Sequence, residues 1–319
     1  MSRRHWFVLA LLAAAVLWIN APGWAQYLYA WWGRAHVSRL PVESVAAGPV
    51  LVLAPHPDDE VLCCAGYLQQ ARQAGRQVYI VWMTSGDGFE MDEILISHRV
   101  RPGPEGLREL GSRRMDEARA AAAKLGVPAE NLFFLGYPDR GLRHLFLDYF
   151  YEPYTSPYTR LSAVGYPGSY HLGAPYTGEE LEKDLTEIFQ RVRPAVVLLP
   201  SPRDAHPDHQ ATSYFGQRVA GRLGFMDRLR YWIVHGGLEW PLPKGYHPGL
   251  ALEPAPRGKG LEWHRLPLSA EQEEAKREAA LAHKSQLEAL SRFMLAFVRT
   301  NELFSPTPFP KMPVDYASR

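Results

Sequence analysis

From residue 50 onward, short apolar runs alternate with longer amphipathic stretches. Val50-Leu51-Val52-Leu53, Gln77 to Met83, Asn131 to Leu135, Ala195 to Pro200 and Leu229 to Val234 read as strands, most of them near-continuous hydrophobic runs of the kind buried on both faces. Glu60 to Gln73, Leu107 to Leu125, Glu179 to Val192 and Gln210 to Arg222 read as helices between them. The second of these is alanine-rich toward its end and is stopped by Gly126 and Pro128. Ser269 to Phe297 reads as a longer helical stretch, broken near Ser291, that packs on the outer face of the sheet. The alternation predicts an α/β fold: a Rossmann-like, mostly parallel sheet with helices on both faces, in a single catalytic domain.

Four segments break this rhythm. Residues 1–32 begin with the basic Ser2-Arg3-Arg4-His5, continue through the apolar run Trp6 to Ile19, and reach small residues around Ala25. That order reads as a signal peptide or an N-terminal membrane anchor, since apolar character resumes from Tyr27 to Trp32 and Trp24, Trp31 and Trp32 suit a membrane interface. Arg3 and Arg4 favour an inside N-terminus, which predicts an extracytoplasmic domain over 33–319, secreted or anchored. Phe89 to Gly106 is a candidate loop or lid. The stretch from about 143 to 178 holds seven tyrosines and is long for a connection, so it either lines a cleft or packs on itself. Pro241 to Gly260 reads as a surface excursion.

Two polar clusters follow predicted strands. His56-Pro57-Asp58-Asp59-Glu60 comes directly after the first strand, and Asp204-Ala205-His206-Pro207-Asp208-His209 comes after the strand at 195–200. In a parallel sheet the carboxyl ends of strands share one edge, so the two clusters can converge there. A catalytic zinc takes three protein ligands and keeps one open position; His56, Asp59 and one of His206 or His209 would supply them. An Asp at a helix start can also be a plain N-cap, but a cap requires neither the His nor a second Asp. Proline pushes the residue before it toward extended backbone, which keeps His56 and His206 out of the helices. Asp87, in the turn after the second strand, is within reach of the site edge or belongs to a simple turn.

The two motifs resemble those of the LmbE-like or PIG-L-like zinc N-deacetylases, with weaker similarity at Arg114-x-x-Glu117, Leu125-Gly126 and Leu135-Gly136-Tyr137-Pro138-Asp139. Arg140 stands where a small residue is common in that family. The resemblance implies hydrolysis of the N-acetyl group of an N-acetylglucosamine-type sugar or glycoconjugate. It implies one zinc per chain on His56, Asp59 and His209, with Asp58 as general base. A protonated His206 would stabilise the oxyanion, with Asp208 orienting or charging it. Arg114 and Asp139 would bind the sugar.

Composition narrows the remaining classes. The 319 residues carry a net charge of +1 and no basic arm, which argues against a nucleic-acid partner. Cys63 and Cys64 are the only cysteines; adjacent cysteines rarely bridge, and buried packing beneath the site is the role read for them. A His/carboxylate set also accepts other divalent metals such as iron or cobalt. The alternatives to a deacetylase are a metal-dependent hydrolase of another bond, or a non-catalytic extracytoplasmic carbohydrate-binding protein. An N-acetylated amino sugar is the expected partner, membrane contact follows if the N-terminal segment is retained, and oligomeric state is not legible.

Overall fold

The computed structural model describes residues 3–89, 103–237 and 240–306. Its centre is a five-stranded, wholly parallel sheet of β1 (Val50–Ala54), β2 (Val78–Thr84), β3 (Leu132–Tyr137), β4 (Val196–Pro200) and β5 (Leu229–Trp232), in the order β3-β2-β1-β4-β5. The chain winds outward from β1 in one direction, then returns to its other side at β4, with Val50 beside both Val78 and Val196. The seam between β1 and β4 is therefore the switch point, where open α/β sheets form a crevice beyond the strand ends.

Alternation along β1 divides the core. Val50, Val52 and Ala54 face one apolar layer, and Leu51 and Leu53 face the other. The first layer is closed by α2 (Asp59–Gln73) and α3 (Pro104–Lys124); the second by α4 (Leu142–Leu147), α5 (Gly178–Val192) and α6 (Pro207–Leu223). The expected helix-covered parallel sheet is what forms, with boundaries within a few residues of the apolar runs.

Several expectations change. The break expected near Ser291 is present as a kink at Leu290, but the C-terminal helical stretch also divides at Leu281–His283 into α7 (Ala270–Ala280) and α8 (Lys284–Met294). These helices lie against α2 and α3, outside them and not on the sheet. A small antiparallel pair, β6 (His264–Pro267) and β7 (Asn301–Phe304), was not legible in the apolar pattern. The stretch after Pro241 is not simply a surface excursion, because Leu250 to Glu253 and Ala255 are buried. Cys63 and Cys64, read as unbridged, are bonded to each other inside α2, and both are buried.

The N-terminus forms α1 (Arg3–Val37), whose apolar side chains from Trp6 to Leu28 are largely exposed. No single described helix is long and apolar enough to cross a membrane. The segments Arg3–Ile19 and Gly23–Val37, bent by 53° at a break that spans Pro22, pass that test together. The last turns of α1 dock on the domain: Val37 is buried, and His36 Nδ1 lies 2.8 Å from Glu253 Oε2. Residues 90–102 of the candidate lid lie outside the described residues.

Candidate active site

The loop after β1 and the loop after β4 meet at the switch point, as the strand positions require. Asp59 opens α2, and its Oδ2 lies 3.3 Å from His56 Nδ1 and 3.2 Å from His209 Nε2. Donor atoms around a tetrahedral zinc, at bond lengths of about 2.0–2.1 Å, stand about 3.3 Å apart, which is the spacing of each of these two contacts. His56, His206 and His209 also bring ring nitrogens within 4.8 Å of one another, a second grouping that could hold a metal. His209 is fully buried on α6, yet neither of its ring nitrogens makes a well-formed hydrogen bond. A buried imidazole without such bonds costs free energy unless another partner satisfies it. The residues fit a metal ion.

The outer nitrogens of both imidazoles face carboxylates, as metal-bound histidines require. Asp204 Oδ2 lies 3.2 Å from His209 Nδ1, and Asp139 Oδ1 and Asp208 Oδ2 lie 3.2 and 3.4 Å from His56 Nε2. Burial alone would raise the carboxyls of Asp59, Asp139 and Asp204. The facing histidines outweigh it and hold all three below the ordinary range. Burial likewise lowers His209, but Asp204 and Asp59 lift it to about 9.

Asp58 does not cap α2: its side chain accepts none of the helix N–H groups, and its backbone sits at φ 134. Asp59 is turned back onto the His56 N–H, 3.1 Å away, so the capping explanation fails for both residues. The unusual backbone at Asp58 is braced by Glu60, whose Oε2 accepts the Asp58 N–H at 3.0 Å and the Trp82 indole at 2.9 Å. Its Oε1 meets His283 Nε2 at 3.0 Å. Burial, then the neighbouring Asp59, raises the Asp58 carboxyl to about 7, against the opposing pull of Arg114.

His206 holds extended backbone (φ −80, ψ 129) before Pro207, as proline dictates, and its Nδ1 accepts the Asp208 N–H at 3.2 Å. The proton of the neutral ring therefore sits on Nε2. Burial and the neighbouring rings of His56, His209 and His235 push its pKa down to about 2, a direction that favours the neutral ring. Asp208 meets His206 through this backbone N–H and directs its carboxylate elsewhere. That carboxylate accepts the N–H groups of Arg140 (2.6 Å) and Leu142 (3.1 Å) and reaches His56.

A cavity of about 200 Å³ opens over this cluster, and His56, Asp58, Asp59, Arg114, Asp139 and His206 all line it. Arg114 is buried, donating to the carbonyls of Gly86 and Pro57, both at 2.8 Å, with Asp58 Oδ2 3.4 Å away. Asp139 accepts the Gly88 N–H at 2.9 Å. Both residues expected to bind sugar thus also shape the site: one faces Asp58, the other His56. Asp87 is buried below, accepting the Asp139 N–H at 3.2 Å and the Tyr166 hydroxyl. None of the tyrosines of 143–178 lines the cavity. Tyr166 and Tyr176 are buried in packing, as self-packing would have it.

The motifs alone left out Asp204 and His235. Asp204 lies two residues before His206 in the same cluster, and its carboxylate also accepts the N–H groups of His206, Val234 and His235, each at 2.9 Å. His235 follows β5, and its ring lies 4.7 Å from that of His209. Its only signal was a histidine just past a strand end.

The sequence pattern of the family described as PIG-L: GlcNAc-PI de-N-acetylase matches residues 51–220. The diacetylchitobiose deacetylase of Thermococcus kodakarensis is 25% identical over 190 residues, 59% of this chain and 54% of that protein. A 1D-myo-inositol 2-acetamido-2-deoxy-alpha-D-glucopyranoside deacetylase of Corynebacterium efficiens is 26% identical over 190 residues, 59% of this chain and 53% of that protein. The chain thus spans about half the length of these curated relatives. Among solved structures, the A40926 pseudoaglycone deacetylase Dbv21 shares the fold at 18% identity, with a TM-score of 0.52 over 83% of this chain and 97% of that one. With the family pattern covering both His/Asp motifs and four of the five sheet strands, the chain belongs to the PIG-L (GlcNAc-PI de-N-acetylase) family.

Proposed function

We propose that the protein is a metal-dependent amide hydrolase that removes the acetyl group from an N-acetylglucosamine-type sugar or glycoconjugate. The observation that carries this reading is Asp59 Oδ2 standing between His56 Nδ1 and His209 Nε2, with Asp58 on the wall of the same cavity. Family membership and the two acetyl-sugar deacetylases above support the substrate class.

His56, Asp59 and His209 would hold one zinc ion, or another divalent metal accepted by this donor set. The chemistry supplied by zinc there is that of a Lewis acid, which makes water acidic near neutrality and polarises the acyl oxygen. Asp58 accepts the proton of the attacking water and passes it to the departing amine; a carboxyl near pH 7 suits both transfers. The neutral His206 Nε2–H donates to the oxygen on which charge develops. Arg114 holds Asp58 and the Pro57 carbonyl in place. Asp139, Asp208 and Asp204 fix the imidazoles. We also assign α1 as a retained anchor that keeps residues 33–319 at an extracytoplasmic membrane surface, on the basis of its exposed apolar residues and basic start.

Acetate release by the zinc-loaded chain from N-acetylglucosamine, chitooligomers and glycoconjugates tests the reading. Asp58→Asn should keep its zinc and lose about 100- to 10,000-fold in kcat. Turnover that survives in this variant would remove Asp58 from the base role. A zinc-loaded protein that releases acetate from none of these compounds would overturn the deacetylase assignment.

A further inference from the structure

His235 lines the same cavity and belongs neither to the metal trio nor to the base. It follows β5 and lies beyond residues 51–220, the stretch that the family pattern matches. Its backbone is tied to the loop after β4. The His235 N–H donates to Asp204 Oδ2 at 2.9 Å, and the His235 carbonyl accepts the Ala205 N–H at 3.1 Å. Its ring stacks on Phe293 of α8 (5.9 Å, 11°) and stands 5.2 Å from the His206 ring. Backbone and ring face are thus both fixed. Among the described residues, neither ring nitrogen of this half-buried side chain makes a hydrogen bond. A polar edge held at a cavity wall without a partner is free to meet a ligand.

The order of the strand ends says which part of the ligand it meets. Asp139 and Arg140 follow β3 at one end of the row, and His206 and His235 follow β4 and β5 at the other. Asp58 faces the first end. Its neighbour Arg114 also donates to the Gly86 carbonyl, just past β2. The amine that receives the Asp58 proton therefore lies toward β2 and β3, and the acyl oxygen points toward β4 and β5. His206 is on that side, but a neutral imidazole carries a single N–H. Oxyanion sites gain most when more than one fixed donor converges on the oxygen.

We propose that His235 is a second donor to the acyl oxygen, so that His206 and His235 together hold the oxyanion. The proposal rests on the deacetylase function given above. His235 keeps its proton throughout: it donates a hydrogen bond that strengthens as charge develops, and no bond to it forms or breaks.

The test compares the full chain with His235→Phe and His235→Gln. Phenylalanine keeps a ring on Phe293 and removes both nitrogens; glutamine keeps an N–H donor and loses the ring. A residue that only packs would be hurt more by glutamine, a donor more by phenylalanine. Measured are kcat and KM for acetate release, zinc bound per chain, and affinity for two probes. The probes are the methylphosphonamide of glucosamine, a tetrahedral mimic, and glucosamine itself. His235→Phe should lower kcat about 100- to 1,000-fold with KM little altered, and weaken the phosphonamide by a similar factor. Zinc content and glucosamine affinity should stay as in the full chain, and His235→Gln should recover part of the lost kcat. If His235→Phe does not fold, His235→Leu takes its place under the same criteria. Unaltered kcat and phosphonamide affinity would overturn the proposal while leaving the deacetylase reading intact. Loss of zinc would also overturn it, by making His235 a metal-holding residue. If the full chain releases no acetate, the deacetylase reading fails and phosphonamide binding decides alone: affinity that falls in His235→Phe and not in His235→Gln upholds the donor, and any other pattern, or no binding, overturns it.

Discussion

At Asp58 the backbone is held in a conformation that non-glycine residues rarely adopt, at a cost of order 1–3 kcal/mol. Asp58 is also the proposed base, and Glu60, Trp82 and His283 hold the turn that aims it. The base must be ionised to accept a proton, and burial beside Asp59 raises its carboxyl to about 7. The expected kcat/KM therefore falls as pH drops below about 7, approaching tenfold per unit. The charge of a bound divalent ion moves that limb lower in pH, never higher. A profile flat from pH 8 to pH 4 would contradict the role. His56, Asp58, Asp59 and His209 were legible because their spacing relative to strand ends is a local signal. Asp204 as the partner of His209, and Asp208 as the partner of His56, were not. Each pairing depends on how the loop after β4 folds back, and no spacing encodes that.

The elements that carry those residues were legible where burial makes them apolar on every side. The five parallel strands are near-continuous hydrophobic runs for this reason. β6 and β7 escaped notice because His264, Arg265, Asn301 and Glu302 break their apolar pattern, and His264 and Glu302 find their partners, Glu43 and Lys276, far away in sequence or on another element. Glu302 shows how. Its carboxylate accepts the Gly66 and Tyr67 N–H groups of α2 at 2.8 and 3.0 Å and pairs with fully buried Lys276 of α7 at 2.7 Å. Lys276 also donates to the Leu62 carbonyl at 2.9 Å. The approach is close enough that a Cβ on Gly66 would stand 2.2 Å from Leu268 Cδ2. This pair ties the helix bearing Asp59 to α7 and β7. Lys276→Met leaves a buried, unpaired carboxylate and should cost about 3–5 kcal/mol in urea unfolding. A loss below about 1 kcal/mol would mean that the pair does not hold α2. Adding Glu302→Gln should recover part of the loss, a coupling that a double-mutant cycle measures.

Over the whole molecule, the sheet, its two apolar layers and the crevice at the β1–β4 seam form one unit, and α1 stands apart from it until its last turns. Side chains from Trp6 to Leu28 are largely exposed, whereas Gly33 and Val37 are buried against the domain. Deleting residues 1–28 should therefore leave the melting temperature within about 2 °C of the full chain and abolish its partition into detergent or vesicles. A large drop in melting temperature would show α1 to be part of the fold, and unchanged partition would place the membrane contact elsewhere. The account rests most heavily on the three donors at the seam, and zinc equilibrium dialysis against a competing chelator tests them directly. The full chain should bind one zinc per chain. His209→Ala and Asp59→Asn should lose it, and Asp204→Asn should keep the site with affinity weakened about 10- to 100-fold. A wild-type protein that binds no zinc, or a His209→Ala protein that binds it as tightly as wild type, would contradict the account.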